Sequence, residues 1–151
     1  MIITNEADYA LRIMRALSDG EQHTVSDVCE QESIPKQFAY KIIRKLSDGG
    51  VIQVTRGVRG GIKLLANLKD VTLFDIVEMT DAERYIIDCM RPGNRCVWME
   101  TNCKFCQIHG RLMEIQTVLD EELKKESLYN LITDQPRKSK SASKKSKIKT
   151  E

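Results

Sequence analysis

Residues 34–66 read IPKQFAYKIIRKLSDGGVIQVTRGVRGGIKLLA, and this stretch decides the fold. Pro35 suits a first helical turn, where its missing N–H would have no intrahelical partner. From there Phe38, Ala39, Ile42, Ile43 and Leu46 recur at helical spacing and form one apolar face, which predicts a helix over about Pro35 to Ser47. Lys36, Gln37, Tyr40, Lys41 and Arg44 are left on the opposite face. Asp48-Gly49-Gly50 ends the helix. Two short apolar runs, Val51–Thr55 and Ile62–Ala66, then flank the loop Arg56-Gly57-Val58-Arg59-Gly60-Gly61, which predicts a β-hairpin.

Working outward, Ala7, Ala10, Leu11, Met14 and Leu17 share one face of a first helix, Asn5 to Ser18, closed by Gly20. A short second helix runs from Val25 to about Gln31, with Thr24 as its cap and Asp27 in the first turn. Three helices and a two-stranded hairpin make a winged helix-turn-helix. Thr72 caps a further short helix ending near Thr80. Arg91-Pro92-Gly93-Asn94 is turn chemistry. From Gln107 to Tyr129 the pattern is helical again, with Ile108, Leu112, Ile115, Leu119 and Leu123 close to a heptad seam. At about 1.5 Å per residue such a helix spans roughly 35 Å. So little chain remains to cover it that a partner subunit is its natural cover. The fold class is therefore mainly α with a small β-hairpin. Its expected parts are a winged domain (1–67), a cysteine-rich loop with a dimerisation helix (68–134) and a tail (135–151).

The tail carries most of the charge asymmetry. The full chain has 24 Lys/Arg and 22 Asp/Glu; residues 136–151 hold seven of the basic and one of the acidic side chains, which leaves 17 against 21 elsewhere. Such a segment buries too little apolar surface to offset its ordering entropy, so a disordered basic tail is expected. It either adds non-specific attraction to phosphates or simply keeps the chain soluble. No apolar run is long enough to span a bilayer, and the start MIITNEADYALR lacks the apolar core of a signal peptide. A cytoplasmic protein without a membrane partner is the expectation, and there cysteines are more often reduced, metal-bound or reactive than bridged.

Four of the five cysteines, Cys89, Cys96, Cys103 and Cys106, are spaced C-x6-C-x6-C-x2-C. Thiolates packed this densely beside a DNA-binding fold suggest a metal or iron–sulfur sensor. Zinc also accepts four cysteines, but its structural sites usually pair two C-x2-C knuckles and this chain offers one. Metal-free redox thiols are the other alternative. Cys103-Lys104-Phe105-Cys106 is the only hint of a thiol oxidoreductase, and no βαβ pattern surrounds it, so an enzyme acting on a small-molecule substrate is not expected. A winged fold that binds protein instead of DNA is disfavoured by the basic, glycine-flanked wing. Cys29, on the second helix, reads as a buried apolar residue.

Three stretches together resemble the Rrf-type winged-helix transcriptional regulators, the family of the IscR, NsrR, RirA and CymR proteins. They are Ala7-Asp8-Tyr9-Ala10-Leu11-Arg12, then Ile34 through Leu46 with Gly50-Val51-Ile52, Arg56-Gly57 and Gly60-Gly61, and finally the cysteine loop before a long helix. The match covers most of residues 1–130 and excludes the tail. The resemblance implies a homodimer, joined through the terminal helix, that binds palindromic operator DNA, usually as a repressor. It also implies an iron–sulfur cluster, two-iron or four-iron, on Cys89, Cys96 and Cys103, although the six-residue gaps here exceed the common five. For the fourth ligand the chain offers Cys106, then Asp8 from the other subunit, then His109. The signal would be iron, redox or nitric oxide status. The CymR-like branch, which lacks the cysteine triad, implies instead a metal-free or thiol-sensing regulator.

A helix-turn-helix leads into the major groove with the N-terminal residues of its second helix. That predicts base contacts from Lys36 and Gln37, by the usual pairings with guanine and adenine, and phosphate contacts from Tyr40, Lys41 and Arg44. Thr24 and Ser26 can offer hydroxyls and backbone N–H groups to phosphate. Arg56 and Arg59 on the wing can enter a narrow minor groove; the resemblance also assigns the minor-groove arginine to Arg56.

Overall fold

Short polar caps set where the helices begin. Thr4 Oγ1 accepts from Ala7 N (3.4 Å), Thr24 Oγ1 from Asp27 N (3.1 Å) and Ser127 Oγ from Asn130 N (3.3 Å). Thr72 and Asp75 cap reciprocally: Asp75 N donates to Thr72 Oγ1 (3.2 Å), and Thr72 N donates to Asp75 Oδ2 (2.8 Å). Each such cap contributes about 1 kcal/mol. In this computed structural model, which describes residues 4–80, 84–102 and 104–133, the caps open α1 (Asn5–Ala16), α2 (Val25–Glu32), α4 (Leu73–Thr80) and α7 (Leu128–Ile132). Between them lie α3 (Lys36–Asp48), β1 (Ile52–Thr55), β2 (Gly61–Leu64), a 3-10 turn (Asp88–Met90), α5 (Val97–Asn102) and α6 (Gln107–Lys125).

The apolar stripes read from the sequence meet in one core. Ala10, Ile13, Met14 and Leu17 of α1 pack with Val28 of α2, with Ala39, Ile42, Ile43 and Leu46 of α3, and with Ile52 and Ile62 of the hairpin. Cys29 is buried there, and burial pushes its thiol up. The strands pair antiparallel, Ile52 opposite Leu64 and Thr55 opposite Gly61. A one-residue bridge adds His23 to the outer side of β2: His23 N donates to Ile62 O (3.0 Å) and Ile62 N to His23 O (2.8 Å). Gly61 allows this approach, because a Cβ there would stand 2.5 Å from the His23 carbonyl oxygen. Gly57 turns the wing at φ +108°, a conformation L side chains rarely adopt.

Three sequence expectations need correction. Phe38 is not on the inner face of α3: it is 43% exposed and its ring lies 6.1 Å from that of Tyr9. The core stripe is carried by Ala39, Ile42, Ile43 and Leu46, and Phe38 sits at its edge. The helix expected over Gln107 to Tyr129 stops at Lys125, at about 28 Å. Glu126 is extended and accepts from Leu73 N (2.8 Å), while Leu128 N donates to Val71 O (2.9 Å). Pairing with residues 71–73 and burying Leu128 completely in the winged core outweigh the few helical hydrogen bonds lost. The cysteine segment is also not a plain loop, since it contains the 3-10 turn and α5. Cys103 and the basic tail lie outside the described residues. Among the described residues no helix is long and apolar enough to cross a membrane.

Candidate nucleic-acid interface and thiol site

The N-terminus of α2, the outer face of α3 and the wing border one open groove of about 260 Å³, lined among others by Thr24, Ser26, Tyr40, Thr55, Gly57 and Gly60. The first-turn N–H groups of a helix favour an anion, and two hydroxyl side chains stand beside them. The Thr24 hydroxyl accepts from Asp27 N, and its O–H is still available to donate. Lys36 and Gln37 occupy the exposed first turn of α3, and Tyr40 is exposed one turn later. Among the described residues Arg44 makes a long exposed contact with Asp48 (3.9 Å). Lys41 is bonded to Glu6 of α1 (2.5 Å). Arg56 and Arg59 are exposed on the wing, whose pose is held from behind: Gln22 Nε2 donates to Arg59 O (2.8 Å). The structure thus brings Thr24, Ser26 and Tyr40 to one groove with the wing. The Gln22 and His23 supports were missed, because nothing in sequence spacing links residue 22 to residue 59.

The thiols gather at the start of α6. Cys106 is the N-cap, its sulfur accepting from His109 N (3.5 Å), and His109 Nδ1 contacts Cys89 Sγ at 3.3 Å. Cys96 lies just before α5. Burial pushes the Cys89 thiol up, and the neighbouring Cys96 and Cys106 thiols add to the effect. Metal ligation would deprotonate such a thiol. An apolar cleft of about 630 Å³ opens beside this group, walled by Ile87, Trp98, Phe105 and Ile108. Among the described residues no three His, Cys, Asp or Glu side chains close around a metal ion by themselves. The donor set of three thiols with an adjacent imidazole nevertheless has the chemistry of iron–sulfur and zinc sites. Asp8 stands elsewhere: it pairs with Arg12 (2.8 Å) and lines a separate groove with Leu11, Arg15, Leu128, Leu131 and Ile132.

A polar node ties the thiol segment to the helices on either side. Arg84 donates to Asp120 Oδ2 (2.8 Å), and Gln116 Nε2 donates to Asp120 Oδ1 (2.8 Å). The buried Gln116 also accepts from Ile86 N through Oε1 (2.9 Å). The Arg84 guanidinium lies over the Phe74 ring of α4 at 4.9 Å. Sequence reasoning gave Gln116 and Asp120 no role, because a polar pair one helical turn apart is indistinguishable from a solvated face.

This combination of a winged helix whose wing is basic with a cysteine-bearing arm is that of a DNA-binding transcriptional regulator. The chain belongs to the Rrf2 family of iron-dependent transcriptional regulators, which it matches over residues 3–134. It is 32% identical over 101 residues to the HTH-type transcriptional regulator NsrR of Bacillus subtilis, an alignment covering 64% of this chain and 69% of that protein. The fold is similar to that of T. potens IscR, with a TM-score of 0.66 at 15% identity over 87% of this chain and 86% of that one. It is also similar to the oxidised form of Staphylococcus aureus CymR, with a TM-score of 0.65 at 16% identity over 87% and 96%. The relatives are regulators of transcription and not enzymes, and this chain is classed with them.

Proposed function

We propose that the protein is a homodimeric repressor whose affinity for operator DNA is set by an iron–sulfur cluster on the thiol segment. Residues 1–67 serve as the DNA-binding unit, 68–134 as sensor and dimer arm, and 135–151 as a basic tail, with the cytoplasm as the compartment. The observation that carries this reading is the meeting of Cys89, Cys106 and His109 at the start of α6. With Cys96 alongside and Cys103 in the same segment, the donor set suits a cluster. The bound cluster would supply iron reactive toward oxidants or nitric oxide. Around it, Cys89, Cys96 and Cys103 are the proposed ligands, with Cys106, Asp8 of the other subunit or His109 completing the set. The node of Arg84, Gln116 and Asp120 joins this segment to α6, and Arg84 lies over Phe74 of α4, a contact that supports a route from the thiols toward the winged core.

Ile108, Ile115 and Val118 form an exposed apolar strip on α6, which supports a dimer across that helix. Two recognition helices would then meet half-sites about one helical turn of DNA apart. Lys36 and Gln37 read bases, Thr24, Ser26, Tyr40, Lys41 and Arg44 hold phosphates, and Arg56 and Arg59 enter the minor groove. Anaerobically purified protein is expected to be brown, with absorption near about 400 nm from thiolate–iron charge transfer, and to lose its promoter gel shift when the cluster is removed. Identical promoter affinity with and without the cluster refutes the sensor reading.

A thiol-sensing, metal-free regulator of the CymR-like kind is the second reading. The observations in its favour are that Cys89 sits among other thiols and that the fold is similar to that of CymR in its oxidised form. Its signature is a colourless, iron-free protein whose DNA affinity changes with thiol oxidation. A colourless protein with stoichiometric zinc would indicate a structural site instead.

A further inference from the structure

Glu6 lies in the first turn of α1, yet its carboxylate reaches α3. Oε1 accepts from Lys41 Nζ at 2.5 Å, and Oε2 accepts from Lys45 Nζ at 2.6 Å. Lys45 also donates to the carbonyl of Thr80, the last residue of α4, at 2.5 Å. The two lysines are held very differently. The Lys45 side chain is 31% exposed and fixed at two oxygens from two helices, whereas the Lys41 side chain is 59% exposed. Exposed pairs are weak and screened by salt, so Lys41 can exchange its partner. A carboxylate bridging two ammonium groups also presents the same paired oxygen acceptors as a nucleic-acid phosphate.

We propose that Glu6 is an internal stand-in for a DNA phosphate. It occupies Lys41 in the DNA-free protein, and duplex binding exchanges it for a backbone phosphate while Lys45, itself anchored on the Thr80 carbonyl, keeps Glu6 in place. The inference rests on the reading of α3 as the helix that meets DNA. Glu6 thereby limits how strongly the helix attracts duplexes of any sequence. The third point of the clamp is the end of α4, from which the chain runs on to the thiol segment, so a shift of α4 is felt at the phosphate-binding lysine.

The test titrates the full-length protein onto a fluorescent duplex of about 30 bp of mixed sequence, over about 50 to 300 mM KCl, read by anisotropy. Glu6→Gln is expected to raise affinity roughly two- to fivefold at low salt, the size of an exposed ion pair, and to steepen the salt slope by up to about 0.9. Glu6→Asp keeps the charge but withdraws it by one methylene, and gives a gain of the same sign. Lys41→Gln lowers affinity, and in that background Glu6→Gln has no further effect. Unchanged or reduced affinity in both Glu6 variants overturns the proposal, and so does an equal gain in the Lys41→Gln background, which is general charge removal. If Lys41→Gln itself changes nothing, the assignment of α3 to DNA fails as well; a normal Lys41→Gln loss with inert Glu6 variants refutes the clamp alone.

Discussion

Leu128 offers the most direct test of how the segment after α6 is joined to the winged core. Its side chain is fully buried in the core shared by α1, α2, α3 and the hairpin, although it follows the long helix by only a few residues. Leu128→Ala removes three buried carbon atoms and leaves a cavity, a change that typically costs about 2–5 kcal/mol. Complete burial argues for the middle of that range, about 3 kcal/mol. With a urea m-value of about 1.5 kcal/mol/M, the midpoint falls by about 2 M. Leu131, on the same short helix but 42% exposed, serves as the control, and Leu131→Ala is expected to cost under about 1 kcal/mol. Urea titrations followed by circular dichroism at several protein concentrations separate the two possible causes. A core defect lowers the midpoint equally at every concentration, whereas an interface defect makes the loss concentration-dependent. Equal small shifts for both variants, or a Leu128→Ala loss confined to low concentration, would falsify the inward turn of the chain after Lys125.

Other consequences can be checked separately. Arg56→Ala should weaken operator binding by about 1–3 kcal/mol at fixed salt with dimerisation unchanged, and an unaltered dissociation constant excludes a wing contact there. Gln116→Leu leaves the Ile86 N–H without its acceptor, a loss of about 1–3 kcal/mol. Faster hydrogen exchange at the Ile86 amide is the expected signature, and unchanged exchange counts against the node. Glu6 is held below its usual value near 4.5, first by the hydrogen bond from Lys41 and then by that from Lys45. A lowered carboxyl stabilises the fold fully above its unfolded value, and the contribution is lost as pH falls through the lowered folded value. Melting temperatures of the parent and Glu6→Gln should therefore differ at neutral pH and converge in acid; a difference that grows on acidification contradicts the ion pairing.

The sequence by itself determined the winged domain. In α3 and the hairpin the apolar positions, the glycines and the breakers all agree, so a local pattern suffices to place the core. The cysteine spacing located the segment in which the fold sets Cys89, Cys96 and Cys106 near one another. Only the tertiary structure decided what depends on distant pairs. The end of the long helix was illegible because the acceptor for Leu128 N is Val71 O, more than fifty residues earlier, and burial in a remote core overrides the local helical repeat. Phe38 obeys the helical period yet stays at the margin, because the width of a buried face is set by its neighbours and not by the helix. Lys41 and Arg44 look equivalent in sequence, but Lys41 meets a carboxylate from another helix, whereas Arg44 meets Asp48 of its own helix. Local regularity is written along the chain, whereas partners separated by tens of residues become neighbours only once the core has closed.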